Sequence, residues 1–219
     1  MPTPTQKPTV IIFDIDKTLR EENTWYEFTE KLGGTAREHA EIYTRLISGQ
    51  ATMEETRKAV IKMWNAHGQV TRKQAQAAIN NIHLTGEAIS VINELQERGF
   101  EICFISGLLI DFVAAFAKRF KLKYFYGNGQ LVFDENDLLV DYLYDQQEAK
   151  NKLNNLHQLL QDAAIKPTQC LSVADSFNDA LIFQEVPGIA VAATEHLSEI
   201  AWKEVRYLPR IIQLIESIE

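Results

Sequence analysis

Residues 10–19 read VIIFDIDKTL, an apolar run that leads directly into a pair of carboxylates. The first four residues are apolar without alternation, as in a parallel strand that helices cover on both faces. Asp14 and Asp16 follow that strand, two residues apart. Ligands of open α/β sheets bind beyond the carboxyl ends of the strands, so this stretch predicts both an α/β fold and a site at the sheet edge.

Three later apolar runs predict further buried strands, at residues 102–105, 170–174 and 189–192. Apolar residues at helical spacing lie between the strands, at residues 87–98, 109–121 and 147–162. Strands that alternate with helices indicate a doubly wound, Rossmann-like parallel sheet, and this is the α/β fold that we expect.

The segment between the first two strands is far longer than the single helix that a crossover requires. Thr52 and Glu55 form a capping-box pattern there, and Thr71 is placed to cap another helix. We therefore predict an inserted helical cap domain at residues 20–84 and a catalytic core at 1–19 and 85–219. Short apolar runs at 124–126, 131–133 and 138–140, with an acidic turn before the last of them, predict a small antiparallel hairpin.

The charge balance excludes several partners. Lys and Arg number 22 against 30 Asp and Glu, so the net charge is −8. Nucleic acids and anionic membranes need clustered positive charge, so we expect neither as a partner. The N-terminus lacks an apolar signal segment, and Cys103 and Cys170 lie in apolar runs, as core thiols of a reducing compartment do. These features predict a cytoplasmic location, whereas the oligomeric state is not predicted.

Polar groups follow three of the predicted strands at the same edge of the sheet. Ser106 and Gly107 follow the second strand, and Asp175 and Asp179 follow the third. With Asp14 and Asp16, four carboxylates converge on one place and repel one another unless a hard cation lies among them. Oxygen ligands of this kind suit Mg²⁺, which we expect as the cofactor.

Two segments and two single residues resemble the four motifs of a known family. They are Asp14-Ile15-Asp16-Lys17-Thr18-Leu19 and Asp175-Ser176-Phe177-Asn178-Asp179, with Ser106 and Lys150 between them. These motifs belong to the haloacid dehalogenase superfamily, in its phosphoserine-phosphatase-like subgroup. The resemblance implies that Asp14 is the nucleophile and that Asp16 is the general acid and base. It also implies a Mg²⁺ site that is formed by Asp14, Asp175 and the backbone carbonyl of Asp16. A phosphate site is implied at Ser106, Gly107 and Lys150. The resemblance further implies that Asn178 and Asp179 position the metal site or Lys150.

The motif lysine has two candidates. Lys150 fits the family pattern in Glu148-Ala149-Lys150 and is preferred on that ground, and Lys152 lies two residues further on. Both lysines fall near the start of a predicted helix, so the sequence leaves the second candidate open.

The residues that would hold the substrate depart from the phosphoserine phosphatase pattern. Asn23 stands where a glutamate binds the serine ammonium, with Glu21 and Glu22 beside it. The arginine that binds the carboxylate has no clear match, and Arg57 and Lys58 are the nearest candidates. Lys17 and Ala174 also replace small residues of the family. We take Asn23, Glu22 and Arg57 as candidate substrate residues and expect no strong preference for phosphoserine.

Trp25 and Tyr26 adjoin two glutamates, a pattern that is compatible with a cage for a cationic headgroup. Helical spacing from Trp25 to Phe28 and Leu32 favours packing in the core of the cap instead.

The expected function is Mg²⁺-dependent hydrolysis of a small phosphorylated metabolite through an aspartyl-phosphate. The alternatives are a phosphoserine-specific phosphatase, a phospho-acceptor domain and a non-catalytic relative that binds a partner. Multiple turnover distinguishes an enzyme from the last two.

Overall fold

The computed structural model describes residues 1–193 and 195–218. These residues form two compact units. The core unit comprises Met1–Glu21, Leu84–Asn128 and the described residues of Asp145–Glu219, and the helical unit comprises Glu22–His83 and Gly129–Tyr144.

The core unit contains a six-stranded sheet in which every neighbouring pair is parallel. The strand order is β3-β2-β1-β6-β7-β8. The strands are β1 (Val10–Phe13), β2 (Glu101–Ile105), β3 (Tyr124–Tyr126), β6 (Cys170–Ala174), β7 (Gly188–Val191) and β8 (Lys203–Val205), while β4 and β5 belong to the helical unit. The α/β fold is confirmed, and β1 lies at the centre, between β2 and β6.

Helices pack on both faces of the sheet. Successive residues of each strand point to opposite faces, so every strand contributes side chains to both packed layers. On one face Ile12 and Cys103 pack with Leu156 and Leu159 of helix α7. On the other face Ile11 is equally buried. The core helices are α5 (Gly86–Glu97), α6 (Ile110–Arg119), α7 (Glu148–Asp162), α8 (Ala180–Glu185), α9 (Glu195–Ser198) and α10 (Arg210–Glu216). Cys103 and Cys170 are buried free thiols, as expected.

Two strands at the sheet edges differ from the prediction. Residues 124–126 were expected in the hairpin, but as β3 they pair in parallel with β2. The short, aromatic β3 is half-buried, so its pattern does not distinguish an edge strand from a hairpin. β8 was not predicted, because Lys203 and Glu204 are exposed and carry the charges that are typical of an edge strand.

The helical unit contains four helices and one hairpin. Its helices are α1 (Thr24–Lys31), α2 (Ala36–Ile47), α3 (Met53–Trp64) and α4 (Arg72–Asn80), and its antiparallel strands are β4 (Gln130–Phe133) and β5 (Leu139–Leu143). The capping box of Thr52 and Glu55 is present, and Thr71 caps α4.

The hairpin groups with the helical unit, although the prediction placed it in the core at 85–219. The Leu139 amide donates to the carbonyl of Val70 at 2.8 Å, and the Arg72 amide donates to that of Asp137 at 2.7 Å. These backbone bonds join the hairpin to the start of α4, which explains the difference.

Within the described residues, no helix is both long and apolar enough to cross a membrane.

Candidate active site

Asp14 is the first residue beyond β1, and the sheet holds its backbone. Its amide donates to the carbonyl of Val173 in β6 at 3.1 Å, and the residue is buried. Its Oδ1 lies 3.2 Å from Nζ of Lys152. A carboxylate and an ammonium group thus face each other at the carboxyl edge of the central strand.

Lys152 is the buried cation of the site, with only 1% of its side chain exposed. Its Nζ donates to Oδ2 of Asp179 at 2.8 Å, and Oε1 of Glu148 lies 3.9 Å away. Burial alone lowers the pKa of Lys152, but the charges of Asp14, Asp179 and Glu148 outweigh it and raise the pKa above the ordinary value. Lys152 therefore stays charged at neutral pH.

The preference for Lys150 is corrected by this geometry. Lys150 is exposed, whereas Lys152 lies on the buried face of α7 with Leu156 and Leu159. These three residues are spaced at i, i+4 and i+7, so they share one side of the helix. Two residues correspond to about 200° of helical rotation, which turns Lys150 away from that side. The same spacing was present in the sequence and would have selected Lys152.

Asp175 and Asp179 lie where the prediction placed them, after β6. Oγ1 of Thr18 donates to Oδ1 of Asp175 at 3.1 Å. Burial and the nearby charge of Asp14 raise the pKa of Asp175 to about 6. Burial also raises the pKa of Asp179, and the Lys152 ammonium opposes that rise. Asn178, between them, is exposed.

Asp16 is half-buried and lies beside Arg20, a residue that the sequence prediction missed. Nε of Arg20 lies 3.9 Å from Oδ1 of Asp16, and Arg20 is 2% exposed. Between them Lys17 has φ +67°, a conformation that favours glycine. This explains why a small residue suits position 17, and the Lys17 amide bonds to the Arg20 carbonyl at 2.7 Å to close the turn.

Ser106 and Gly107 follow β2 directly. Ser106 is buried, its amide donates to the carbonyl of Tyr126 at 3.1 Å, and its Oγ accepts from the Leu108 amide at 3.4 Å. A Cβ at Gly107 would overlap the carboxylate of Glu148, so the absent side chain leaves room for that group. Glu148 joins this loop to Lys152, and it too was missed as a site residue.

The residues present fit a divalent cation, although no metal-binding group of three or more His, Cys, Asp or Glu side chains occurs in residues 1–193 and 195–218. The expected ligand set has only two carboxylates, since Asp16 contributes its backbone carbonyl. In the described structure Oδ1 of Asp14 is buried without a hydrogen bond. Its charge also raises the pKa of Asp175, and a cation held by both carboxylates would relieve that repulsion.

The predicted substrate residues lie in the helical unit. The side chain of Asn23 caps α1 by accepting from the Tyr26 amide at 3.2 Å, and Glu22 is exposed. Arg57 pairs with Asp141 of the hairpin, with Nη2 and Oδ2 2.8 Å apart. Their role toward a substrate stays a prediction.

Trp25 packs in an aromatic cluster of the helical unit. Its ring stacks on Trp64, with centroids 6.2 Å apart and an interplanar angle of 15°. The rings of Tyr142 and Tyr144 meet it edge-on, at 5.4 Å and 5.7 Å. The favoured interpretation, packing within the cap, agrees with these contacts, and Trp64 and the two tyrosines are partners that the sequence did not indicate.

Comparisons with known proteins identify the family of the chain. The family described as haloacid dehalogenase-like hydrolase matches residues 8–186. A phosphoserine phosphatase of Lactococcus lactis is 22% identical over 219 residues, which cover 95% of this chain and 96% of that protein. One of Archaeoglobus fulgidus is 24% identical over 194 residues and 88% of this chain, but the match spans only 55% of that relative's length.

The fold is shared with a solved structure described as a phospho-aspartyl intermediate analogue of phosphoserine phosphatase. The TM-score is 0.73 at 23% identity, and the match covers 95% of this chain and 99% of that one. Because the family match includes β1, β2, α7 and β6, it contains every strand and helix that positions the buried carboxylates and Lys152. The chain belongs to the haloacid dehalogenase-like hydrolase family.

Proposed function

We propose that this protein hydrolyses small phosphomonoesters in a Mg²⁺-dependent reaction, with Asp14 as the nucleophile. The observation that carries the proposal is the buried Asp14 carboxylate at the end of β1, whose Oδ1 lacks a hydrogen bond in the described structure and faces the Lys152 ammonium at 3.2 Å. A carboxylate oxygen that has no hydrogen bond and is held beside a fixed cation is suited to attack on phosphorus.

The reaction has two steps that use Asp14 and Asp16 in turn. In the first, an oxygen of Asp14 attacks phosphorus, the P–O bond to the alcohol breaks, and Asp16 gives its proton to the leaving oxygen. In the second, Asp16 takes a proton from water as that water attacks the aspartyl-phosphate. Inorganic phosphate leaves, and both carboxyl groups return to their starting states.

Lys152, Ser106 and Gly107 would hold the phosphoryl oxygens. Lys152 is suited to this because Asp14, Asp179 and Glu148 raise its pKa and keep it charged. The Asp179 bond at 2.8 Å fixes the direction of its ammonium group. Preorganised charge of this kind stabilises the transition state without reorganisation during the reaction.

Asp14, Asp175 and the backbone carbonyl of Asp16 would hold Mg²⁺. When bound, the cation supplies charge neutralisation for the phosphoryl group. Thr18, which donates to Asp175 at 3.1 Å, would keep that carboxylate in position.

The helical unit is proposed to act as the cap of the enzyme, with residues 20–84 as its main segment and Asn23, Glu22 and Arg57 as its candidate substrate residues. Arg57 is already paired with Asp141, and Asn23 caps α1. Buried ionic partners give strong discrimination only where a pocket provides them. We therefore propose a phosphatase of small cytoplasmic metabolites without a strong preference for phosphoserine.

Phosphoserine hydrolysis is the second candidate, because the similar proteins from Lactococcus lactis and Archaeoglobus fulgidus carry that name. A screen of phosphate release decides between the two. The compounds are phosphoserine, phosphocholine, phosphoethanolamine, sugar phosphates and nucleotides, each with Mg²⁺ and with excess EDTA, and Asp14→Asn is the inactive control. Release from several compounds supports the broad activity, and a kcat/KM for phosphoserine far above all others supports the second candidate. No release from any compound contradicts both.

A further inference from the structure

Phe177 is a large apolar side chain that stays in solvent at the carboxyl end of β6. It is 57% exposed and begins a single 3₁₀ turn, Phe177–Asp179. Single exposed apolar residues are common and need no explanation by themselves. The position of Phe177 is what distinguishes it, since Asp175 precedes it by two residues and Asp179 follows it by two.

A carboxylate on each side of Phe177 is bonded to a residue near Asp14. Asp175 accepts from Thr18 at 3.1 Å, and Asp179 accepts from the buried Lys152 at 2.8 Å. Two residues of chain span at most about 7 Å, so the backbone of Phe177 cannot move far from either carboxylate.

Among the described residues, one aromatic ring meets that of Phe177, and more than half of the Phe177 side chain is exposed. His196 meets it edge-on, with centroids 6.3 Å apart and an angle of 74°. His196 is itself exposed, so the two rings form an aromatic pair in solvent and are not part of the packed core.

We propose that Phe177 is a specificity-determining residue that contacts the organic part of the substrate. A phosphoryl group at Asp14 would have the buried strand behind it, so the proposal places its ester group on the open side of the carboxyl edge, where the exposed Phe177 lies. The ring offers apolar and π surface and no charge, and it favours phosphomonoesters whose alcohol carries an apolar or aromatic group. This inference rests on the proposed function, whose phosphate site it extends.

The test compares two esters that present the same phosphate and a primary alkyl alcohol, 2-phenylethyl phosphate and ethyl phosphate. In Phe177→Ala the kcat/KM ratio of the first to the second should fall by about tenfold or more, as for lost apolar contacts in a pocket. The kcat/KM for ethyl phosphate should stay nearly unchanged, and Phe177→Tyr should keep the ratio. Tyr207→Ala removes another exposed aromatic residue of the core unit, 59% exposed, and should leave the ratio unchanged.

An unchanged ratio in Phe177→Ala overturns the inference. An equal loss for both esters also overturns it, because the residue then only supports the turn. Calorimetric binding of 2-phenylethylphosphonate and ethylphosphonate, which are not hydrolysed, keeps this test separate from that of the activity. Weaker binding of the phenyl compound alone in Phe177→Ala supports the inference even if the protein releases no phosphate, a result that would contradict only the proposed function.

Discussion

Replacement of Lys152 by methionine, compared with the same change at Lys150, tests the electrostatic centre of the site. Methionine keeps most of the side-chain volume and removes the charge. In the folded protein Lys152 is 1% exposed and lies 2.8 Å from Asp179 and 3.2 Å from Asp14. Its loss leaves two carboxylates in the interior without their shared cation.

The expected cost follows from that burial. Removal of one partner of a buried ion pair typically costs about 3–5 kcal/mol of folding free energy, because the remaining charge stays desolvated. Asp179 can take up a proton, since burial raises its pKa, and this places the loss toward the lower end of the range. Lys150 is exposed, so Lys150→Met should change stability by less than about 0.5 kcal/mol.

Urea unfolding at pH 7 measures both variants against the unchanged protein, and phosphate release measures kcat/KM. We expect Lys152→Met to lose about 10²–10³-fold in activity, the usual effect of removing one stabilising group from the transition state. Lys150→Met should retain activity. Equal effects of the two substitutions, or a larger effect of Lys150→Met, would refute the assignment of Lys152.

Three further outcomes are expected. Phosphate release should stop in excess EDTA and return when Mg²⁺ is restored; full turnover in EDTA would remove the cation from the account. Gly127→Ala should destabilise the protein by about 1–3 kcal/mol in urea unfolding, because the new Cβ would lie 2.7 Å from the backbone of Ile110. Gly86→Ala has open space around it and should not destabilise the protein, so equal unfolding midpoints of the two variants would contradict the packing at Gly127. Burial lowers the pKa of His39 to about 4, below the value near 6.5 of the unfolded chain. The neutral imidazole therefore stabilises the folded protein by about 3 kcal/mol above about pH 6.5, and this contribution is lost as the pH falls to 4. His39→Gln should flatten that part of the stability profile relative to exposed His67→Gln, and a profile of unchanged slope would contradict it.

The central part of the fold could be predicted from the sequence because its strands are buried on both faces. The residues of β1 are all apolar, those of β6 are apolar apart from the buried Ser172, and the two strands lead into Asp14 and Asp175. Such strands have one interpretation, and the topology of a parallel sheet brings their ends together. The edge strands β3 and β8 are short and partly exposed, so their sequences carry little of this signal.

The sequence predicted the positions of site residues that follow a strand directly. It did not predict those whose side-chain direction depends on the rotation of a helix. Asp14, Ser106 and Asp175 follow buried strands, and their positions are set within a residue or two. The choice between Lys150 and Lys152 depends on the rotation of α7, which the family pattern does not specify but the spacing to Leu156 does. Arg57 shows a different obstacle, since its pairing with Asp141 joins residues that are 84 positions apart in the chain.

The most direct test of the account is to trap the covalent intermediate in Asp16→Asn. This variant keeps the Asp14 nucleophile and loses the group that activates water. An aryl phosphate, whose leaving group departs without a proton, should still phosphorylate Asp14, and the aspartyl-phosphate should then hydrolyse about 10²–10⁴-fold more slowly than in the unchanged enzyme. Rapid acid quench with a labelled aryl phosphate and peptide mapping locates the label. The account predicts accumulation of label on Asp14 and none in the Asp14→Asn, Asp16→Asn double variant; label on any other residue would contradict it.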